Sequence, residues 1–233
     1  MPTVAYDTAT FAEDFGVTTV TTASFTIANV AKRCAFVSLG TVGSNGGVTS
    51  GPSVGGVNAG AVSGATGSDA TNNITGYAAI APPSGSVTAT ATWTTARSVS
   101  LGVIVANGVH QTIGMNNGTS ATGSSPHSTD VTSNAGDLTV TVNANGLTSS
   151  DQTTNQTKRI TSFFCIDTGP GTAGPITHTW TKTGATASLN VGANFVQAPV
   201  EPPSYDVSRP WLAAIAATGA ISNTALRDAA AWF

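Results

Sequence analysis

The sequence predicts an all-β protein, an antiparallel β-sandwich that is followed by a short helical appendage. Over residues 87–93 apolar residues alternate strictly with threonine, which is the period of a strand with one buried face and one exposed face. Residues 138–143 alternate in the same way, and both segments are predicted to be half-exposed antiparallel strands. No segment before residue 200 has a helical period, which argues against a parallel sheet, since parallel crossovers need helices.

The centre of the core is predicted from segments 34–39 and 99–106, which are apolar at both odd and even positions. Further strands are predicted near residues 19–28, 74–81, 158–166, 176–182 and 186–196. Many exposed positions in these strands are threonine, whose β-branched side chain suits a pleated surface. The predicted core residues are Phe36, Val37, Leu39, Leu101, Val103, Val105, Leu138, Val140, Phe164, Leu189 and Val191.

The composition limits the possible partners. Charged residues make up 8% of the chain and the net charge is -3, so a nucleic-acid partner is not expected, because phosphate binding needs clustered Lys and Arg. No apolar run is long enough to cross a membrane, and the N-terminal residues do not resemble a secretory signal. We therefore expect synthesis in a cytosol, with Cys34 and Cys165 as buried reduced thiols.

Two segments rich in glycine and small polar residues are predicted to be long loops. They cover residues 41–73 and 114–135. Long loops in compact domains are either functional or mobile, and both alternatives remain open for these two.

The predicted domain organisation is a sandwich over 1–198, a proline-rich linker over 199–207 and a helical tail over 208–233. Ser208 and Ser222 are suitable caps for two short helices. Helices of this length are marginal alone in water, so their apolar side chains must be covered by the sandwich or by another chain. The predicted partner-docking residues are Trp211, Leu212, Ile215, Leu226, Trp232 and Phe233.

One motif matches the nucleophile elbow of hydrolases, G-x-S-x-G, in residues 51–55 around Ser53. An elbow needs a helix directly after the serine. The glycine-rich residues 55–60 that follow are poor helix formers, so a turn at a strand edge is predicted instead.

A second motif, Asp167-Thr168-Gly169, matches the D-T-G signature of aspartic proteases. Those enzymes need two carboxylates that share a proton. A turn at the end of a buried strand explains a single copy equally well, and we predict no catalytic residue in this chain.

Metal ligands are also sparse. His127, Asp130 and His110 could contribute to a site, but a zinc centre needs at least three well-spaced ligands. His178 is in phase with Ile176 and Trp180, which favours a core or interface position. The prediction is therefore no metal and no cofactor.

The succession of segments resembles a known type of domain. Residues 24–27, 32–39, 54–56 and 77–85, continued by the strands at 87–93, 99–106 and 135–140, resemble a jelly-roll β-sandwich that recurs in bacteriophage virion proteins and bacterial surface proteins. The resemblance covers residues 20–196 and consists of strands and turns, so it implies a fold without transferring a catalytic residue.

Two function classes follow from this resemblance. The first is a phage virion structural protein, a capsid-surface decoration or head-fibre protein that is made in the host cytoplasm, binds the major capsid or tail protein, and forms a homo-oligomer, most plausibly a trimer. The second is a carbohydrate-binding or adhesive module of a phage tail or bacterial surface, contacting a host glycan. The aromatic platforms that sugar binding needs would have to come from Tyr77, Trp93 or Trp180, which lie in predicted strands.

Overall fold

The computed structural model describes residues 3–43, 48–144, 152–183 and 188–200, and within them the only regular elements are β-strands. Every strand pairing in this part of the chain is antiparallel. The all-β class and the antiparallel pairing predicted from the sequence are confirmed.

Seventeen strands are defined, in chain order. They are β1 (Ala5–Thr21), β2 (Phe25–Ile27), β3 (Cys34–Val42), β4 (Val48–Val54), β5 (Val57–Asn58), β6 (Gly60–Ser68), β7 (Asn72–Ile80), β8 (Gly85–Val87), β9 (Ala89–Asn107), β10 (Met115–Gly123), β11 (His127–Ser133), β12 (Leu138–Ala144), β13 (Thr153–Thr154), β14 (Thr157–Ile160), β15 (Phe164–Pro170), β16 (Gly174–Thr181) and β17 (Ser188–Phe195).

The strands form four sheets. The largest has seven strands in the order β5-β4-β9-β3-β7-β6, with β1 also paired to β9. A five-stranded sheet has the order β10-β17-β12-β15-β14, a three-stranded sheet the order β11-β16-β13, and β2 pairs with β8.

Strand β9 organises the seven-stranded sheet. Its second half pairs with β3 and its first half with β4, while β1 follows it along the other side. The sequence prediction of two separate strands, over 87–93 and 99–106, is wrong. No glycine or proline interrupts residues 94–98, and the pairing with β1 continues through register shifts beside Gly16, whose φ is +68°.

The apolar side chains divide into two clusters. The first is shared by the seven-stranded and five-stranded sheets, for example through Phe36, Ile104, Val140 and Leu189. The second lies on the opposite face of the curled seven-stranded sheet, around Val37, Leu101 and Trp93. All eleven core residues predicted from the sequence are buried.

The two predicted loops are wrong. Residues 41–73 contain β4, β5 and β6, and residues 114–135 contain β10 and β11. Glycine allows this pairing because it permits close approach of two backbones: Gly64 has a φ of +80°, and no Cβ fits at Gly118, which lies directly against the backbone of residues 63–65.

The first compact unit of the chain is Met1–Ala198 and the second is Pro199–Phe233. Only Pro199 and Val200 of the second unit belong to the described residues. The predicted tail helices and the six predicted docking residues, from Trp211 to Phe233, lie outside them. The described part of the chain holds no helix that is long and apolar enough to be a membrane span.

Candidate functional site

The five-stranded sheet has a second face that is polar and completely buried. Thr139, Thr141 and Asn143, on β12, are all inaccessible to solvent. The prediction that these residues form an exposed face is wrong, because the three-stranded sheet covers them. The side-chain pattern correctly identified a polar face, but alternation does not reveal whether another sheet lies over it.

Asp167 is at the centre of this layer. Its carboxylate accepts hydrogen bonds from Thr141 Oγ1 at 2.6 Å and from Thr154 Oγ1, and His178 Nδ1 lies 2.8 Å away. Asp167 is fully buried in the middle of β15, so the predicted turn at this D-T-G sequence is wrong. A buried carboxylate needs several donors to offset its lost hydration.

His178, on β16, connects Asp167 to a hydroxyl group. Its Nδ1 faces Asp167, and its Nε2 lies 2.9 Å from Thr139 Oγ1. The predicted core position of His178 is confirmed, since it is fully buried. The order hydroxyl, imidazole, carboxylate is the order of groups in a serine-hydrolase triad, although sequence motifs alone did not indicate it.

A tryptophan stabilises the same cluster from β16. Trp180 Nε1 donates to Thr141 Oγ1 at 2.9 Å, and Thr141 in turn donates to Asp167. Trp180 is fully buried, and Trp93 is 4% exposed. Core packing therefore occupies both tryptophans that were considered as sugar platforms, and Tyr77 packs against the second apolar cluster.

A carboxamide lies next to the hydroxyl end of the cluster. Gln156, just before β14, and Thr139, on β12, face each other across Gly169 of β15. A Cβ built on Gly169 would be 2.9 Å from Gln156 Cδ and 3.2 Å from Thr139 Oγ1. The absence of a side chain at Gly169 thus leaves space in which these two functional groups approach each other.

Solvent access determines what this cluster can do. Thr139, Asp167 and His178 are fully buried, whereas Gln156 is only half-buried. A substrate that diffuses in from solvent cannot contact the hydroxyl of Thr139. The only kind of electrophile that the cluster can act on is one that belongs to the protein itself.

The serine of the elbow motif lies in a strand. Ser53 is in β4, where its backbone pairs with β9 and β5, and β5 follows it instead of a helix. The local structure is therefore a strand and hairpin, which does not present the serine as an elbow does.

The proposed metal ligands do not converge. His127 and Asp130 are three residues apart on β11, which places them on opposite faces of the sheet, and the Asp130 carboxylate accepts from Thr177 Oγ1 at 2.6 Å. The ring of His110 accepts from its own turn at residues 112 and 113. Within the described ranges no three His, Cys, Asp or Glu residues are grouped as metal ligands would be.

Both cysteines are buried and reduced, as their apolar surroundings predicted. Burial raises the pKa of the Cys34 thiol to about 12 and also raises the pKa of Cys165. A thiol with a raised pKa carries little thiolate, which is the reactive form.

In comparisons with known proteins, no family model, curated protein or solved structure matches this chain. The function has to be argued from the residues themselves.

Proposed function

We propose that this chain is a structural protein of a bacteriophage particle, most plausibly a capsid-surface decoration or head-fibre protein. In this proposal the seven-stranded and five-stranded sheets, which share one apolar core, form a β-sandwich of jelly-roll type. The protein acts by assembly with other virion proteins and is exposed on the particle surface.

The observation that carries the proposal is the contrast between the two parts of the chain. The first compact unit ends at Ala198 with a buried core of its own, while the 33 residues after Val200 include three aromatic residues and four Leu or Ile residues. So short a segment buries little of its own apolar surface, and aromatic anchors are where binding energy concentrates in interfaces. We assign these residues to docking on a capsid or tail protein.

The outer face of the three-stranded sheet supports the assembly role. Ser128 Oγ and Thr179 Oγ1 lie 2.8 Å apart across β11 and β16, and Asn155 donates to the Thr177 carbonyl and accepts from the Thr179 amide. These cross-strand bonds hold a hydroxyl-rich surface that carries little charge. Such a surface suits association of identical copies, and we propose a trimer.

The adhesive alternative has less support. It depends on exposed aromatic platforms, and Trp93 and Trp180 are both occupied in packing. Contact with a host glycan through the uncharged surface remains compatible with the virion proposal.

The decisive experiment removes the tail. A chain truncated after Val200 is expected to fold and remain soluble, but to be absent from particles that are purified and analysed by mass spectrometry. Separating heads from tails in the same preparation locates the full-length chain. Trp211→Ala and Trp232→Ala should each reduce incorporation, with Asn223→Ala as a polar control in the same segment.

Normal incorporation of the truncated chain would contradict the docking assignment. Absence of the full-length chain from all particles would contradict the virion assignment itself. Native mass spectrometry of the full-length chain tests the trimer, and a monomer both free and on the particle would refute it.

A further inference from the structure

The buried hydroxyl, imidazole and carboxylate form a nucleophilic arrangement without a route to solvent. Thr139 Oγ1 lies 2.9 Å from His178 Nε2, and His178 Nδ1 lies 2.8 Å from Asp167 Oδ1. Both distances are within the range in which an imidazole accepts a proton from a hydroxyl while a carboxylate orients the ring.

The nearest acyl group that the structure offers to this hydroxyl is the side chain of Gln156. The two lie on either side of Gly169, on the same face of neighbouring strands. The Gln156 Nε2 group donates to the Thr177 carbonyl at 3.3 Å, and the Gln156 amide donates to Thr154 Oγ1 at 3.1 Å. These bonds position the carboxamide beside the cluster.

We propose that Thr139 and Gln156 become joined by an intramolecular ester bond that forms once, in the folded protein. The inference concerns a modification of the chain and does not depend on the virion assignment. A cross-link between β12 and the residue that precedes β14 would connect two strands that flank β15 in the sheet.

The reaction balances without a cofactor. The Thr139 oxygen attacks Gln156 Cδ, and its proton moves to His178 Nε2. The tetrahedral intermediate then breaks the bond between Cδ and the amide nitrogen of Gln156. His178 returns the proton to that nitrogen, which leaves as ammonia, and an ester remains. No group is oxidised or reduced.

A carboxamide is a poor electrophile, so the reaction needs a strong advantage from proximity. Well-oriented groups in one molecule react as though their concentration were about 10⁵ to 10⁸ M, which offsets a large part of the barrier. Exclusion of water from the hydroxyl also protects the intermediate from hydrolysis.

The other members of the cluster are positioning residues. Asp167 orients the His178 ring, and Trp180 acts through Thr141, which donates to Asp167. Thr139 Oγ1 donates to the Gly169 carbonyl at 2.9 Å in the unreacted arrangement, so that proton must turn to His178 before attack.

The test is the mass of the purified full-length chain after incubation at neutral pH. The expected mass is lower than that of the sequence by one ammonia molecule. Because cyclisation at an Asn-Gly sequence such as Asn117-Gly118 also releases ammonia, the position must be mapped. Cleavage before aspartates cuts at Asp151, between the two residues, so an ester keeps fragments 137–150 and 151–166 joined. Mild alkaline hydrolysis should then separate them.

Variants connect the mass change to the named groups. Gln156→Glu should abolish the joined fragments, because a carboxylate is not attacked and the half-buried position tolerates the change. Gln111→Glu, in the exposed turn before β10, is the matched control and should retain them. Thr139→Ser should also retain them, since it keeps the hydroxyl.

Two results would overturn the proposal. One is a folded wild-type chain whose aspartate-cleaved fragments 137–150 and 151–166 separate completely before any alkaline treatment. The other is joined fragments that persist in Gln156→Glu. If Thr139→Val fails to fold, the Gln156 variant still decides the question.

Discussion

Nδ1 of His178 lies 2.8 Å from Oδ1 of Asp167, and neither side chain has any solvent exposure. The two residues belong to different sheets, His178 to the three-stranded sheet and Asp167 to the five-stranded sheet. Their contact therefore connects two layers through polar groups, in a protein whose other layers are joined by apolar side chains. The stability of this layer depends on every donor and acceptor finding a partner.

Replacement of Asp167 by alanine should destabilise the protein by about 3–5 kcal/mol, because it leaves the buried groups of His178, Thr141 and Thr154 without their common acceptor. Denaturant unfolding followed by circular dichroism measures the change. Asp130→Ala is the control, since Asp130 is exposed and bonds only to Thr177 among the contacts seen here, and it should cost about 1 kcal/mol or less. Equal effects of the two substitutions would show that the buried carboxylate has no special structural role.

Replacement of Gly40 by alanine should destabilise the protein by about 1–3 kcal/mol, because the new Cβ would lie 2.6 Å from the ring of Phe164. Gly40 is on β3 and the ring comes from β15, so the substitution would push two sheets apart. Gly60→Ala, in β6, is the matched control because a Cβ there meets no atom within 4 Å. Thermal unfolding of both variants measures the difference, and an unchanged transition in Gly40→Ala would argue against this close contact.

Truncation of Phe164 to alanine should cost about 3–5 kcal/mol through lost burial and a cavity between the sheets. In the double variant with Gly40→Ala, the added methyl group enters the space that the ring has left. The two changes should therefore cost less together than the sum of their separate effects. A double-mutant cycle measured by urea unfolding tests this, and strict additivity would mean that the two residues are not in contact.

The buried thiol of Cys34 should make part of the stability pH-dependent. Its pKa is about 12 in the folded protein against 9.0 as the ordinary value, so the folded state favours the protonated thiol. This contribution is complete below pH 9.0 and is lost as the pH rises towards about 12. Unfolding of Cys34→Ala between these pH values should show a weaker decline than wild type. Rapid modification of Cys34 by a thiol reagent in the folded protein at pH 8 would contradict the raised pKa.

The sequence was sufficient for the local structure wherever one face of a strand is apolar. Val140 and Leu189 were correctly assigned to the core because alternation identifies the residues on one face. It failed at residues 41–73 and 114–135, where glycine and small polar residues favour loops locally. Those segments are strands because partners distant in the sequence supply their hydrogen bonds, as β17 does for β10.

By itself the sequence determined the all-β class, the antiparallel pairing and the composition of the apolar core, because these follow from side-chain period and composition. Only the tertiary structure decided that the polar face of β12 is buried. Thr139 and His178 are 39 positions apart, and no local pattern indicates that β16 lies over β12 and brings the imidazole to the hydroxyl. Period 2 states which side chains share a face, whereas the packing of sheets decides what covers that face.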